Sequence, residues 1–225
     1  MRYPTDQKQV TRDKLVCNSA TAAKEHGFAA SGVDALAKAA GLTSGAFYRH
    51  FSGKDALLAA VCEVELASTR ARFARVEPFG GERAAEQVLR AVDRYLSLEH
   101  VRSPALGCVL PALSAEVGRA SLETRTSFER AFAELLAVLT EKVGDEALAS
   151  AIVTQCVGAV TVARALATEP ARRAALEAAR ESARRLLARD QAIRRPGGSR
   201  RSSPRVGGGA NGPQPPTRSN RMPLP

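Results

Sequence analysis

The sequence predicts an all-α protein in which an N-terminal helix-turn-helix module precedes a larger helical domain. The composition favours helices over sheets, because Ala and Leu are abundant, aromatic residues make up 4% and Trp is absent. Apolar residues also recur at helical spacing, as at Val33, Leu36, Ala37 and Ala40. Gly and Pro residues then divide the chain into about nine helices.

The first 58 residues predict a compact module of three helices and the start of a fourth. We expect helices at about 8–26, 33–40 and 43–50, and a longer one at about 54–76. Gly41 lies where the second helix must end, at a turn that suits positive φ. Thr43 is placed to cap the third helix. The predicted core of this module consists of Leu15, Phe28, Leu36, Leu42, Phe47 and Phe51, with Val10 as a further inward candidate.

Two S-x-x-D pairs predict capping boxes at helix starts. Ser31 with Asp34 would begin the second helix, and Ser52 with Asp55 would begin the fourth. Two short helices across a tight turn form a helix-turn-helix, whose second helix can enter the major groove of DNA.

The remaining helices are expected at about 83–98, 108–117, 122–143, 145–167 and 170–190, with a break at 99–106 that contains Pro104. Residues 147–163 are almost without charge, so this helix must be buried on several sides. We favour a homodimer interface over a purely internal core helix. Asp145 is placed to cap it.

The net charge of +10 is unevenly distributed. Residues 1–58 carry eight basic and five acidic residues, residues 59–190 carry 18 of each, and residues 191–225 carry seven Arg and no acid. A basic module beside a neutral one is typical of a DNA-binding head with a different task for the remainder. Ordinary surface charge is the alternative interpretation of the head's excess.

These patterns predict three segments: a DNA-binding domain at 1–58, a larger helical domain at 59–190, and a disordered tail at 191–225. In the tail, 24 of 35 residues are Arg, Pro, Gly or Ser. We find no apolar run near the roughly 20 residues that span a bilayer, and the N-terminus is polar. The four cysteines lack metal-ligand spacing. We therefore expect a cytoplasmic protein with reduced thiols and with no metal or cofactor.

The stretch from Val33 to Leu58, VDALAKAAGLTSGAFYRHFSGKDALL, resembles the TetR family of bacterial transcription regulators. The resemblance is strongest over residues 11–61 and elsewhere covers only the helical layout. It implies a homodimer on a palindromic double-stranded DNA operator, with half-sites about 34–36 Å or a multiple apart. It also implies that a small molecule, unidentified from the sequence, shifts the fourth helix and the spacing of the two DNA heads.

The resemblance assigns a DNA-binding face to Ser31, Thr43, Ser44, Gly45, Tyr48, Arg49, His50 and Lys54. Thr43 and Ser44 would offer a helix N-terminus to phosphate. Tyr48 and Lys54 would hold the DNA backbone, and Arg49 would read a base, because a guanidinium can bind guanine bidentately. Ordinary solvated surface is the alternative for each of these residues.

The effector pocket is predicted to include Tyr95, His100, Cys108 and Glu116. Cys108 follows Gly107 at a helix start, where the pKa of a thiol is lowered. Its surroundings resemble a TetR subgroup in which some members sense electrophiles or oxidants through this cysteine. Simple packing is the alternative role.

Other functions stay open at this point. The chain could be an activator, or a nonspecific DNA binder that uses its Arg-rich tail. Cys108 with His100 could also form the nucleophile and base of a thiol enzyme. The sequence shows no third orienting group, so we expect no enzymatic activity.

Overall fold

The computed structural model describes residues 5–75 and 84–194, which contain ten α-helices, one short 3-10 helix and no β-strand. The all-α fold class is therefore confirmed. The helices are α1 (Thr5–His26), α2 (Val33–Ala39), α3 (Ser44–Phe47), α4 (Lys54–Ala74), α5 (Ala84–Tyr95), α6 (Leu98–Arg102), a 3-10 turn (Pro104–Leu106), α7 (Leu110–Val117), α8 (Leu122–Val143), α9 (Glu146–Ala165) and α10 (Glu169–Arg194). We call α1–α3 the head and α4–α10 the body. Of the predicted disordered tail, residues 195–225 lie outside the described residues.

Two predicted boundaries are wrong for local reasons. The α-helical part of α3 ends at Phe47, because the N–H groups of Arg49 and His50 bond three residues back in a tightened turn. The predicted break at 99–106 contains α6 and the 3-10 turn. Ser97 begins α6, since its hydroxyl accepts a hydrogen bond from the His100 N–H at 3.1 Å.

The predicted S-x-x-D capping boxes are also wrong. The N-cap residues of α2 and α4 are Gly32 and Gly53, and neither helix start has a side-chain cap. Ser31 instead donates to the Gly27 carbonyl at 3.3 Å. The Thr43 and Asp145 caps are confirmed, since these side chains accept hydrogen bonds from the first turns of α3 and α9.

The apolar residues of the described chain form two buried cores. The first joins the head to α4, α7 and part of α8, and the second joins α5, α9 and α10. Five of the six predicted head-core residues are fully buried, whereas Leu42 is only partly buried. Val10 is 50% exposed, so its predicted inward position is wrong. The first core continues through residue 58 into the body, which binds the head firmly to α4 and α7.

Helix α9 is long and apolar enough to cross a membrane by length and composition alone, contrary to our expectation that no run approaches that length. Only 33% of its most apolar window is buried within the chain. It packs against α8 and α10. Its outward line carries no charge and consists of Ala147, Ala151, Thr154, Gly158, Thr161, Val162 and Ala165.

Candidate nucleic-acid interface and effector site

The turn between α2 and α3 fixes the orientation of residues 43–49, the segment that contains most of the predicted DNA-binding residues. Gly41 has φ +70°, and the N–H groups of Gly41 and Leu42 bond back to α2. Phe47 is fully buried, and its ring meets those of Tyr48 and Phe51 at centroid distances of 5.2 and 5.8 Å. Aromatic packing thus holds this segment against the core of the head.

Four of the predicted DNA-binding residues form an open surface. Thr43, Gly45, Tyr48 and Arg49 are exposed, with Tyr48 at 60%. Thr43 also caps α3, because its hydroxyl accepts from the Ala46 N–H at 3.2 Å. The small Gly45 allows a close approach to this surface. Together these residues present hydroxyl, phenol and guanidinium groups on one short element.

Three other predicted residues bind groups of the protein itself. The Ser44 hydroxyl donates to the Asp34 carboxylate. The Ser31 hydroxyl donates within the α1–α2 turn. Lys54 Nζ donates to the carbonyls of Phe28 at 2.9 Å and Ala29 at 3.2 Å. These residues therefore shape the DNA-facing elements, and phosphate would have to compete with existing partners.

His50 lies half-buried behind the exposed surface. Burial lowers its pKa, and the nearby Lys8, Arg12 and Arg49 lower it further. The Arg12 guanidinium lies 4.4 Å above the Phe51 ring and donates to the His50 carbonyl at 3.4 Å. Lys8 and Arg12 of α1 thus extend the basic surface beyond α3. Sequence reasoning missed both, although their i, i+4 spacing places them on one helix face.

The α1–α2 turn is held between the head and the body. Gly27 adopts φ +82° there, and a Cβ at this position would lie 3.2 Å from Glu116 Oε1. The Glu116 carboxylate accepts the N–H groups of Phe28 at 2.8 Å and Ala29 at 2.5 Å, while Lys54 binds the carbonyls of the same two residues. Glu116, predicted for the effector pocket, does not line the two cavities described below, and its carboxylate is bound to the α1–α2 turn instead.

The start of α4 is fastened to the start of α8. The Asp55 carboxylate accepts the Ser121 N–H at 2.8 Å, and the Thr124 hydroxyl donates to the Asp55 carbonyl at 3.1 Å. Helices α4 and α8 then pack along their lengths. A displacement of α8 would therefore reach the first turn of α4, directly beside the head.

The body contains an inner cavity of about 70 Å³ between α4, α5, α8 and α9, where one water-sized sphere needs about 10–15 Å³. Tyr95 and Cys108 line it. Both residues also line an adjoining outer cleft of about 360 Å³, together with His100. The structure thus brings three of the four predicted pocket residues together.

Hydrogen bonds fix the His100 ring as a neutral imidazole. Nδ1 donates to the Tyr95 carbonyl at 2.7 Å, and Nε2 accepts the Cys108 backbone N–H at 3.0 Å. Burial lowers the pKa of His100. Because Nε2 is occupied by a backbone donor, this geometry does not support a base acting on the Cys108 thiol.

The Cys108 thiol does not have the lowered pKa that its helix-start position suggested. Burial raises the pKa more strongly than the Leu110 N–H and the Tyr95 hydroxyl lower it. Burial also raises the pKa values of Cys62 and Cys156 to about 12. Within the described residues no group of three or more His, Cys, Asp or Glu side chains could hold a metal ion.

Comparison with known proteins agrees with this architecture. Residues 19–61 match the family model described as bacterial regulatory proteins, tetR family. The repressor NemR of Escherichia coli K12 is 25% identical over 131 residues, 58% of this chain and 66% of NemR. The helix-turn-helix region of the chain thus matches the TetR family. The matched residues include the whole α2–turn–α3 unit and the first part of α4.

Solved structures show that the likeness extends through the body. Reduced E. coli NemR superposes with a TM-score of 0.65 at 21% identity, covering 78% of this chain and 96% of NemR. FadR from Bacillus subtilis, solved in complex with stearoyl-CoA, gives a TM-score of 0.58 at 18% identity, with 78% and 96% covered. The fold of the body is therefore shared along with the helix-turn-helix.

Proposed function

We propose that this TetR-family chain is a cytoplasmic, dimeric transcriptional repressor that a small-molecule effector releases from a palindromic operator. The exposed Tyr48 and Arg49, rigidly supported by buried Phe47, carry this proposal. The domain assignment follows: residues 1–58 bind DNA, and residues 59–190 bind the effector and the second subunit. The family supports a non-enzymatic role, and so does the backbone bond that occupies His100 Nε2.

Selection of bound DNA from a random pool tests the DNA-binding part directly. The full-length chain should enrich an inverted repeat with a fixed spacing, because a symmetric dimer presents two equal reading segments. A second arm repeats the selection with residues 191–225 deleted. The same motif should return, with a shallower dependence on salt if the tail arginines contact phosphate. If only the complete chain binds, and without sequence preference, the nonspecific binder becomes the better explanation.

The second subunit would cover the outward line of α9. This line is uncharged over five turns and consists of Ala, Gly, Thr and Val residues. A Cβ built at Gly158 meets no atom within 4 Å, so a longer side chain there fits the isolated subunit. A large side chain at position 158 would therefore leave the subunit intact but block a close contact between the helices of two subunits.

Sedimentation velocity with Gly158→Arg tests the dimer. We expect a dimer for the unchanged chain and a monomer for the variant, with operator affinity reduced on the order of 100-fold because two half-sites no longer bind together. Ala133→Arg, at an exposed position of α8, is the matched control and should stay dimeric. A Gly158→Arg dimer of unchanged affinity would place the interface elsewhere.

A second candidate is release of the operator by electrophiles or oxidants at Cys108. The position of this thiol, in the wall shared by the cavity and the cleft, favours it, because a bulky adduct there would push α4 and α5 apart. Burial and the raised pKa oppose rapid reaction. The test uses a Cys17→Ser background, since Cys17 is exposed and would react first.

N-ethylmaleimide is then added to the protein–operator complex. Loss of operator release in Cys108→Ala, with release retained in Cys156→Ala, would support sensing at Cys108. Cys156 is the matched control because it is also buried and also lines the inner cavity. Equal release in both variants would eliminate this candidate.

A further inference from the structure

The inner cavity and the outer cleft form one site with two chemically different ends. They share five wall residues, Thr69, Phe73, Ala91, Tyr95 and Cys108. The inner end is lined mainly by aliphatic side chains of α5, α8 and α9, such as Val92, Leu139 and Ile152, and the buried Lys142 also contributes to its wall. A molecule entering from the cleft would therefore pass from a polar mouth, between Tyr95 and Cys108, into an apolar chamber.

Tyr95 marks the point where the two ends meet. Its hydroxyl is buried and forms no hydrogen bond of ordinary geometry, although the Cys108 thiol is close. The Tyr95 ring is held edge-on against His100 at a centroid distance of 4.5 Å. Leaving a buried hydroxyl unpaired is unfavourable, and a ligand with a hydrogen-bond acceptor at this depth would pair it. The junction of the cavity and the cleft at Tyr95 can thus bind one polar atom of a ligand.

The outer end is positively charged. Arg72 and Arg94 line the cleft, and neither forms an ion pair with any described carboxylate. Arg72 Nη2 donates only to the Thr69 hydroxyl, at 3.1 Å. Glu99 is the acidic residue in the lining of this cleft. The cleft therefore has an excess of cationic groups over carboxylates.

A third guanidinium strengthens this field from behind the cleft wall. Arg164 is half-buried, donates to the His100 carbonyl at 3.2 Å, and has a buried Nε without a partner. No described carboxylate lies within ion-pair distance of it. Its Nη2 would lie 3.1 Å from a Cβ at Gly107, which places the charge directly behind the cleft residues. Partly buried cations without counter-ions favour an anion nearby.

We propose that the effector is an amphipathic anion, with an apolar chain or ring in the inner cavity and an anionic head group in the outer cleft beside Arg72 and Arg94. The Tyr95 hydroxyl donates a hydrogen bond to an oxygen next to the apolar part. This inference rests on the proposed function, in which the body binds an effector. A free carboxylate and an acyl thioester of a phosphorylated carrier share this chemistry.

Isothermal titration calorimetry on the full chain tests the proposal with unbranched carboxylates of six to twelve carbons. Each is compared with the alcohol and the trimethylammonium compound of equal length, below micelle-forming concentrations. We expect one chain length to bind best, and its carboxylate to bind at least 10-fold tighter than its alcohol or cation. Acyl-CoA of that length separates the two sources of the anion. Equal affinity for carboxylate and alcohol, or no binding of any carboxylate or acyl-CoA, overturns the proposal.

Variants then assign the two ends. Arg72→Gln with Arg94→Gln should weaken the carboxylate at least 10-fold and leave the alcohol unchanged. Arg75→Gln, an exposed arginine one turn from Arg72 that does not line the cleft, is the control. Val157→Phe narrows the inner cavity and should weaken carboxylate and alcohol alike. Thermal unfolding of each variant confirms that it folds.

Tyr95→Phe separates binding from stability. Because the hydroxyl has no partner of ordinary geometry, the variant should melt at or above the temperature of the unchanged chain, yet bind the carboxylate about 10-fold less tightly. Unchanged carboxylate affinity in Tyr95→Phe overturns the role of the hydroxyl. A chain that selects a palindrome but binds none of these anions retains the proposed function and refutes the amphipathic effector. A chain that selects no DNA refutes the proposed function whatever the calorimetry shows.

Discussion

The α1–α2 turn of the head and the cavity region of the body differ in how far their polar groups are hydrogen-bonded. In the α1–α2 turn of the head, two backbone N–H groups and two carbonyls are bound by single side chains, Glu116 and Lys54. Around the body cavity, Tyr95 Oη and Arg164 Nε are buried and form no hydrogen bond of ordinary geometry, and Arg72 and Arg94 form no ion pair with a described carboxylate. The backbone groups of this turn are therefore paired, whereas several polar groups around the cavity are not.

This difference indicates how the two regions divide the work of a regulator. A DNA-reading surface gains affinity when it is rigid before contact, since less side-chain and loop entropy is then lost on binding. An effector site must instead bind its ligand better in one state than in the other, so it gains from groups that are satisfied only when the ligand is present. The fastening of α4 to α8 at Asp55 joins these two regions.

The largest expected effect comes from changing the exposed reading surface. Tyr48→Ala with Arg49→Ala should weaken operator binding on the order of 100-fold, because the proposed bidentate base contact and phosphate contact would be lost together. The melting temperature should stay within about 2 °C, since neither side chain is buried. Fluorescence anisotropy with labelled operator measures the first quantity and calorimetry the second. Lys38→Ala, also exposed on α2, is the control, and a comparable loss there would mean that general charge dominates.

The next largest effect should follow removal of the turn's anchor. Glu116→Ala leaves the N–H groups of Phe28 and Ala29 without an acceptor, so we expect a loss of about 2 kcal/mol in the free energy of unfolding by urea. Glu129→Ala, at an exposed position of α8, should change it by less than about 0.5 kcal/mol. If both variants unfold alike, the head does not depend on this contact with α7.

These contacts show where sequence reasoning reaches its limit. The helix positions followed from local signals: apolar spacing, Gly41 at the turn, and Thr43 and Asp145 as caps. The short α6 is not predicted, because the apolar spacing extends the preceding helix to about residue 98 and Pro104 indicates a break after it. The available signal for this helix was Ser97, a residue type that often caps a helix start and whose hydroxyl here accepts the His100 N–H.

Partners distant in sequence could not be predicted from local pattern. Glu116 lies 88 residues from Phe28, and Asp55 lies 66 residues from Ser121. Glu116, near the end of α7, accepts N–H groups of the α1–α2 turn, and Asp55, in the first turn of α4, accepts the N–H of the residue that caps α8. Tyr95, His100 and Cys108 lie together because the chain reverses direction between α5, α6 and the segment that leads into α7. Glu116 faces away from that cluster toward the head.

Stability should decrease in mild acid through the histidines of both regions. The folded chain holds the pKa values of His50 and His100 below the ordinary 6.5, so the unfolded chain binds more protons as pH falls through about 6.5. The stability that the two neutral histidines contribute is fully present above that pH and is lost as the pH falls toward their pKa values in the folded chain. The melting temperature should therefore decrease as the pH is lowered from 7.5 to 5.5, and it should decrease less steeply for His100→Gln. His26→Gln, exposed at the end of α1, should retain the full slope.

The smallest effect concerns one buried hydroxyl in each region. Ser19 Oγ in the head and Tyr95 Oη in the body are both buried without a partner. Ser19 is fully buried in the packed head core, where no ligand can reach it, so Ser19→Ala should raise the free energy of unfolding by about 0.5–1 kcal/mol and leave operator release unchanged. Tyr95→Phe should be similarly tolerated but should raise the effector concentration needed for release. Urea unfolding and anisotropy titration on the two variants show whether the Tyr95 hydroxyl binds the effector. If the two variants behave alike in both assays, the Tyr95 hydroxyl, like that of Ser19, has no role in effector binding.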